Sequence, residues 1–411
     1  MHHFLSLLLL SFFTTGSAFA SFDSYPDTTQ DVGSTFVTHF DTYPETVQDV
    51  CSTCVTQFEN LYFNPKSSAF LTLGENIDLD KSIYLEDKRG YIWKNRNRET
   101  FPSKREQKTF GSSLIVLESN STPNHSNHYF HFLEHLLALW TFGGEENREQ
   151  IDLFLLASNG STPPKNWKGT NDITYHLIKA AFPNAEILAW KEFMAVSPEH
   201  LIRFETALVS DRSMEIFKTE PYRTDRMLGS YFQSLTKESL DHLATCVYDY
   251  FQTEITPTDE LVVTYIPRFE KRWLQPECEE QLLAQIRELP NVRLQVIDLA
   301  AIPFEEQIQV IANTDVLLGV HGNGFSNVLF LPSHATVIEL FPEKSFRVEY
   351  RILAKARELA YWGWIDQRGW MGDRAVERTG CFGVVRHIYG TVKVEVDPIV
   401  SVIRQIKKPA L

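Results

Sequence analysis

Apolar runs alternate with amphipathic stretches throughout the second half of the chain, and this alternation limits the fold more than any other feature. The mainly apolar runs Leu261–Ile266, Val316–Val320 and Thr336–Phe341 predict strands, as does the segment Arg293–Leu299, and the stretches between them predict helices or tight turns. Strands that alternate with helices form parallel sheets covered on both faces. The pattern therefore predicts a doubly wound α/β unit of about 150 residues.

The first half shows the same alternation less cleanly. Strands are predicted at Ser113–Leu117, Ile151–Ala157 and Ala185–Trp190, and helices at Tyr129–Phe142 and Ile173–Phe182. A chain of 411 residues is long enough for two domains, at roughly 100–200 residues each. We therefore expect an α/β protein of two Rossmann-like, doubly wound domains, residues 67–245 and 246–411, which face each other across a cleft.

The first 66 residues have a different composition. The apolar run Phe4–Phe13, followed by small residues up to Ala20, predicts a cleaved signal peptide over residues 1–20, because the run is too short to span a bilayer. Residues 21–66 contain a short duplication that begins at Phe22 and again at Phe40, and no Lys or Arg occurs between Ser21 and Pro65. That composition predicts a flexible acidic stem.

Charge and targeting signals limit the partners and the compartment. The net charge is −14 at pH 7, which argues against nucleic acid and against an anionic membrane as bulk partners. Sequons at Asn120, Asn124 and Asn159 are compatible with glycosylation in the secretory pathway. We therefore expect a protein of the endoplasmic reticulum or Golgi lumen, or a secreted one, with no membrane span after signal cleavage.

A glycine-rich turn, His321–Gly324, directly follows the apolar run Val316–Val320 and opens a helix; we call it the HGNG turn. Glycines let the backbone approach a phosphate closely, and the first N–H groups of a helix stabilise negative charge. The spacing is neither that of a dinucleotide fingerprint nor that of a Walker loop. The alternative is a tight strand-to-helix turn that needs glycine only for its backbone conformation.

The residues around this turn resemble glycosyltransferase family 61. The resemblance rests on His321–Gly324, Asn327–Pro332, Val337–Pro342 and Tyr265–Arg268 with Arg272, and it is thin before Leu261. It implies a two-domain, GT-B-like enzyme that transfers a sugar with inversion, from a UDP-sugar (GlcNAc or xylose) to a hydroxyl group of a protein or glycan. No cofactor is obligatory on this view, although a divalent metal ion could assist the diphosphate.

The resemblance also implies roles for individual residues. Residues His321, Gly322, Asn323, Gly324 and Asn327 would line the donor site, with the turn facing the diphosphate. Arg268 and Arg272 would stabilise the departing nucleoside diphosphate, and Glu339 would hydrogen-bond a ribose. The structural alternatives are a surface ion pair for Arg268 and a cap of the next helix for Glu339.

A general base must accept the proton of the acceptor hydroxyl. The segment Asn127–Glu134 resembles the corresponding helix of the family, with Glu134 where Asp is usual. His128, His131, Glu134 and His135 fall within one stripe of that helix. The sequence therefore predicts Glu134 or His131 as the base, unless these side chains are hydrogen-bonded core residues.

Two other functional classes stay open. His131–His135 reads H-x-x-E-H, a zinc signature of metallopeptidases, with Glu205 or Asp211 as a third ligand. The replacement of Asp by Glu134, and of Ser by Pro267, also keeps open a non-catalytic binding protein with a transferase fold. The transferase hypothesis predicts no metal site.

Overall fold

A computed structural model of the chain describes residues 55–65, 69–72, 92–95, 108–118, 129–158, 168–169, 171–198, 200–210, 235–269, 272–342, 349–371 and 390–408. The predicted signal peptide, the three sequons and the stem up to residue 54 lie outside these residues. Within them the chain forms two large sheets with helices packed on both faces. The predicted α/β class is confirmed.

The first sheet has seven strands in the order β3-β2-β1-β7-β4-β5-β6. These strands are β1 (Val55–Asn64), β2 (Ala69–Thr72), β3 (Ile92–Asn95), β4 (Lys108–Glu118), β5 (Ile151–Ser158), β6 (Glu186–Ala189) and β7 (Ile202–Ser210). Strands β7, β4, β5 and β6 run parallel, and β1 runs antiparallel to both β2 and β7. Among the described residues, the helices that accompany this sheet are α1 (Tyr129–Leu139), which continues as a π-helical turn over Trp140–Gly144, α2 (Ile173–Ala181) and α3 (Trp190–Val196).

Strand β1 corrects the prediction for the end of the stem. Residues 21–66 were predicted to be flexible, but Val55–Asn64 form a strand whose Phe58, Leu61 and Phe63 are buried in the core beneath α3. Burial of three large apolar side chains fixes this segment against β7. The flexible stem remains a prediction only for the residues that precede β1.

The second sheet has the order β10-β8-β11-β12-β13-β14, and its first five strands are parallel. Its strands are β8 (Leu261–Ile266), β10 (Val292–Val296), β11 (Val316–Val320), β12 (Thr336–Phe341), β13 (Ala360–Ile365) and β14 (Gly369–Trp370). A separate parallel pair joins β9 (Arg272–Leu274) to β15 (Gly390–Val392). Every residue of β8, β11 and β12 is buried, as expected for central parallel strands.

In the part of the chain that the structure describes, the α-helices beside the second sheet are α4 (Lys237–Phe251), α5 (Pro276–Arg287), α6 (Phe304–Ala312), α7 (Glu349–Ala356) and α8 (Val396–Gln405). A short 3₁₀ helix spans Leu299–Ala301, and a longer one spans Asn323–Phe330. We call the longer one the turn helix, because the HGNG turn leads into it. The predicted boundary between residues 245 and 246 falls inside α4, whose first turn is capped by the Thr236 side chain.

One apolar cluster joins elements of both halves. It contains Leu136 of α1, Leu177 of α2, Leu243 of α4, Ile308 of α6 and Val328 of the turn helix, all fully buried. Helices α4 and α2 contact each other, and α1 packs against the turn helix. The core therefore continues from the first sheet to the second.

Asp315, at the amino end of β11, ties three segments together. Its carboxylate accepts hydrogen bonds from the backbone N–H of Val262 at 2.7 Å, from Nε2 of His334 at 2.7 Å and from Nζ of Lys408 at 3.0 Å. Burial alone would raise the pKa of Asp315, but these three hydrogen bonds outweigh it and hold the pKa below its usual value.

This arrangement predicts acid sensitivity. Because the pKa of Asp315 is lower in the folded chain, its contribution to stability is complete above about pH 4 and is lost as pH falls through the folded pKa. We expect Asp315→Asn to lower the free energy of unfolding at pH 7 by about 2 kcal/mol. Urea unfolding of both proteins between pH 7 and pH 3 checks this, since the difference between their free energies of unfolding should narrow in acid. A difference that stays constant with pH would contradict this prediction.

Candidate functional site

The order of the second sheet marks where a ligand would bind. From β8 the chain passes through α5 to β10 on one side, and from β11 it passes through the turn helix to β12 on the other side. Strands β8 and β11 are neighbours, so their carboxyl ends flank the point at which the winding reverses. In open parallel sheets, ligands bind outside the carboxyl ends at such a switch point. The loops found there carry Arg268 and the HGNG turn.

Arg268 lies directly against the HGNG turn. Its Nη1 donates a hydrogen bond to the carbonyl oxygen of His321 at 3.1 Å, although the two residues are 53 positions apart. A Cβ atom added to Gly322 would lie 1.3 Å from the same Nη1 atom, so this position tolerates only glycine while Arg268 stays in place. Burial lowers the pKa of Arg268, but a guanidinium remains charged at neutral pH. The turn thus holds a fixed positive charge at the switch point.

The turn itself presents backbone donors beside that charge. Asn323 begins the turn helix, and the N–H of Phe325 is hydrogen-bonded to the carbonyl of Gly322 at 2.9 Å. The first N–H groups of a helix have no acceptor inside the helix, and they attract anions. Together with Arg268, the turn has the chemistry of a phosphate site.

A buried hydrogen-bonded group fixes His321 from behind. Its Nδ1 contacts Oε1 of Glu339, and the hydroxyl of Tyr361 donates to Oε2 of Glu339 at 2.5 Å. Glu339 is fully buried and His321 is 6% exposed. The imidazole ring stacks on Phe341 with 5.3 Å between ring centroids and packs against Tyr350 at the same distance. The His321 side chain therefore points into the fold.

The structure gives Glu339 a different position from the one the resemblance implied. A ribose contact needs an accessible carboxylate, but this side chain has no exposed surface, and both of its oxygens are already engaged by His321 and Tyr361. In this arrangement Glu339 supports the turn. It does not cap the next helix either, because it lies inside β12.

The other candidate residues of this half occupy several positions. Asn327 is buried, and its Nδ2 donates to the carbonyl of Gly324 at 3.1 Å, which stabilises the turn helix. Asn323 is exposed at the start of that helix. Arg272 is partly buried at the start of β9, where it pairs with Gly390. The structure thus brings Arg268, His321, Gly322 and Glu339 together most closely.

Tyr361 and Tyr350 belong to this site and were not predicted. Tyr361 reaches Glu339 diagonally because the residue directly opposite Glu339 on β13 is Gly363, which has no side chain. A glycine beside a buried acid, two positions after a tyrosine, is the sequence signal that could have identified the contact.

The far end of the turn helix is held by side chains of α4 and by Arg357, the residue directly after α7. The Arg357 guanidinium donates to the carbonyls of Leu329 and Leu331 and pairs with Asp241 of α4 at 2.8 Å. Tyr248 donates its hydroxyl to the carbonyl of the residue between those two leucines. Burial raises the pKa of Tyr248 to about 12, so this hydroxyl stays protonated and keeps donating. Three successive carbonyls are therefore anchored: those of the last two residues of the turn helix and that of Leu331 directly after it.

The predicted base lies on α1, which packs against the turn helix. Glu134 is buried on this helix, 6% exposed. The side chain of His131 lies outside the described residues. The neighbouring His135 is also buried, and its Nδ1 forms a 2.7 Å hydrogen bond with the hydroxyl of Ser210, the last residue of β7.

The zinc alternative finds no support in these positions. Asp211 lies outside the described residues, and Glu205 is exposed and paired with Arg203 at 3.4 Å. Glu205 is five residues before Ser210 on β7, so it lies about 17 Å along the strand from the residue that His135 contacts. Within the part of the chain that the structure describes, no group of three or more His, Cys, Asp and Glu side chains could hold a metal ion. Nor does that part contain a helix that is both long and apolar enough to cross a membrane.

Comparison with known proteins adds a family match. Residues 129–338, about half of the chain, match the family described as glycosyltransferase 61. The chain is also similar to proteins named EGF domain-specific O-linked N-acetylglucosamine transferase. The Drosophila melanogaster protein is 33% identical over 112 residues, which are 27% of this chain and 21% of that protein. The Xenopus laevis protein is 32% identical over 87 residues, 21% of this chain and 16% of that one. These alignments thus span about a fifth of the relatives' length.

Proposed function

Because the chain belongs to glycosyltransferase family 61, we propose that it transfers a sugar from a UDP-sugar to a hydroxyl group of a protein or glycan acceptor, with inversion at the anomeric carbon. UDP-N-acetylglucosamine is the first donor to consider, since the relatives carry N-acetylglucosamine in their names. UDP-xylose is the second. An EGF domain is the first protein acceptor, for the same reason.

The observation that carries this proposal is the contact of Arg268 with the HGNG turn at the switch point. Sugar transfer breaks the bond between the anomeric carbon and the diphosphate, and negative charge develops on the leaving oxygen. A fixed guanidinium and preorganised N–H groups stabilise such charge most when they need no rearrangement. An anion site built from these groups suits a nucleoside diphosphate as the leaving group.

The rest of the reaction follows from a single in-line displacement. The acceptor oxygen forms the new bond to the anomeric carbon while the diphosphate leaves from the opposite face, which inverts the configuration. The proton of the acceptor hydroxyl passes to Glu134 or His131 as general base. The packing of α1 against the turn helix supports a base on this helix, because it brings the helix beside the donor half.

The same proposal includes the architecture and the compartment. The two parallel-rich sheets would correspond to the two Rossmann-like halves of a GT-B-like enzyme, with the donor on the second half. We place the protein in the lumen of the endoplasmic reticulum or Golgi, or outside the cell. No obligatory metal ion takes part in the proposed reaction.

Nucleotide binding followed by transfer tests the proposal. We expect UDP and a UDP-sugar to raise the melting temperature, with about 2.7 kcal/mol of stabilisation at a hundredfold excess over Kd, and GDP and uridine to give less. Intact-mass measurement of a folded EGF domain, incubated with protein and UDP-N-acetylglucosamine or UDP-xylose, then detects addition of one sugar. Stabilisation by no nucleoside diphosphate would overturn the donor site, whereas binding without transfer to any hydroxyl acceptor would favour a non-catalytic protein.

A further inference from the structure

A continuous chain of hydrogen bonds leads from β13 to the cation of the proposed donor site. The Tyr361 hydroxyl donates to Glu339 at 2.5 Å, Glu339 contacts Nδ1 of His321, and the His321 carbonyl accepts from Arg268 at 3.1 Å. The four residues belong to β13, to β12, to the loop after β11 and to the loop after β8. The hydrogen-bonded chain therefore spans four neighbouring parallel strands, in the order β13, β12, β11 and β8.

Each link in this chain has a defined direction. When Glu339 is ionised, its oxygens can only accept hydrogen bonds, so Tyr361 donates to Glu339 and the tautomer of His321 that fits is the one with its proton on Nδ1. The backbone N–H of His321 donates to the carbonyl of Leu340 at 2.9 Å. Side chain and backbone of His321 are thus both fixed to β12, and its carbonyl oxygen has one direction in which to meet Arg268.

Burial makes the chain rigid. Glu339 is fully buried, and the imidazole lies between Phe341 and Tyr350. A buried carboxylate that loses a hydrogen-bond donor bears a large desolvation cost, and its partners shift to compensate. Met371 fills the space beside Gly363, the residue opposite Glu339, since a Cβ added to Gly363 would lie 2.3 Å from Met371 Cε, so no room is left there for a water molecule to replace the lost donor. Removal of the Tyr361 hydroxyl would therefore let the Glu339 carboxylate and the His321 ring move.

We propose that Tyr361 is a positioning residue for the donor diphosphate, which it does not touch, and that it acts through Glu339 and His321 to hold the Arg268 guanidinium. The inference rests on the proposed function, because it takes a nucleoside diphosphate as the ligand of Arg268. It adds a residue of β13 to a site otherwise formed by the loops after β8 and β11. A guanidinium that must be reoriented on binding stabilises the diphosphate less than one held in place.

The variant Tyr361→Phe tests this with UDP and uridine as probes. We expect its Kd for UDP, measured by calorimetry, to rise about tenfold, and its Kd for uridine to stay unchanged, because uridine lacks the diphosphate. Tyr265→Phe is the matched control: Tyr265 lies on β8 and donates its hydroxyl to Glu279 at 2.8 Å, in the core on the side of α5. It should leave both constants at the wild-type values. If Tyr361→Phe loosened the fold in general, the Kd values for UDP and for uridine would both rise, and this result would contradict the inference.

A double-mutant cycle with Arg268→Ala decides whether the effect passes through Arg268. If it does, Tyr361→Phe adds nothing once Arg268 is gone, and the double variant binds UDP as the Arg268→Ala variant does. Additive losses, or an unchanged UDP constant in Tyr361→Phe, would overturn the inference while the proposed function stands. A wild-type protein that binds no nucleoside diphosphate would overturn both.

Discussion

Replacement of Gly322 by alanine is expected to weaken UDP binding about a hundredfold while the protein stays folded. The new methyl carbon would lie 1.3 Å from Nη1 of Arg268, so the guanidinium must leave the turn. The displaced atom is the end of a flexible side chain, so the fold can adapt at small cost. Loss of one well-placed cation beside a phosphate corresponds to about two orders of magnitude in affinity. Calorimetry with UDP and a melting curve of the free protein measure the two parts of this result.

Two further variants make the Gly322 result interpretable. Gly111→Ala is the matched control, because its methyl carbon would also meet the end of one side chain, Asp152 Oδ2 at 2.4 Å, but in the first sheet. It should leave the Kd for UDP unchanged. Arg268→Ala should reproduce the loss seen with Gly322→Ala, since both remove the same guanidinium from the turn. A Gly322→Ala protein that binds UDP as tightly as the wild type would show that Arg268 does not hold the donor.

The largest loss of stability is expected from Arg357→Ala, at about 3 kcal/mol. The variant removes the donors to the carbonyls of Leu329 and Leu331 and the partner of Asp241. Arg357 is 3% exposed, so water cannot replace these contacts without opening the core. Truncation of one partner of a buried ion pair usually costs about 3–5 kcal/mol; the lower end applies because the Asp241 side chain is 32% exposed. Urea denaturation should show the midpoint falling by about 1 M at constant slope.

Arg293→Ala is the control for this measurement. Arg293 pairs with Glu260 at 3.7 Å, and both side chains are about half exposed, at 47% and 51%. Exposed pairs of this kind contribute less than about 1 kcal/mol. If Arg357→Ala moved the midpoint no further than Arg293→Ala, the stability of the fold would not depend on the hydrogen bonds from Arg357 to Leu329 and Leu331.

Much of the second sheet could be predicted from the sequence, because its strands are buried on both faces. The strands β8, β11 and β12 were predicted at the bounds that the structure shows, since a wholly buried strand is a continuous apolar run. Helix α1 was predicted over Tyr129–Phe142, but its α-helical part ends at Leu139 and a π-helical turn follows over Trp140–Gly144. Helix ends depend on local hydrogen bonds that an apolar pattern does not record.

Strand β1 was missed because its side chains do not alternate. Phe58 and Leu61 pack into the same cluster although they are three positions apart, and residues at that spacing on a regular strand lie on opposite faces. Asn60 between them has a φ of 55°, a left-handed conformation that interrupts the pleat. The Arg203 guanidinium, from the neighbouring strand, donates to the Asn60 side chain at 2.6 Å. The partner that makes this geometry stable lies far away in the sequence.

The anion-binding groups of the candidate site could be predicted from the sequence, but the residues that position them could not. The HGNG turn and Arg268 were identified from residue type and from position after a strand. Their contact joins residues 53 positions apart, and it follows only from the order of β8 and β11 in the sheet. Glu339 was assigned to the ligand by the family resemblance, and its contact with Tyr361 depends on the register of β12 with β13.

The apolar cluster that runs from α1 and α2 through α4 to the turn helix determines how the chain can be divided. A fragment that ended at residue 245 would cut α4 in the middle and separate Leu243 from Val247, both fully buried. Each piece would expose an apolar face to water, a liability for aggregation. Exchange of the second half with that of a relative should therefore keep α4 and its buried partners from the same parent.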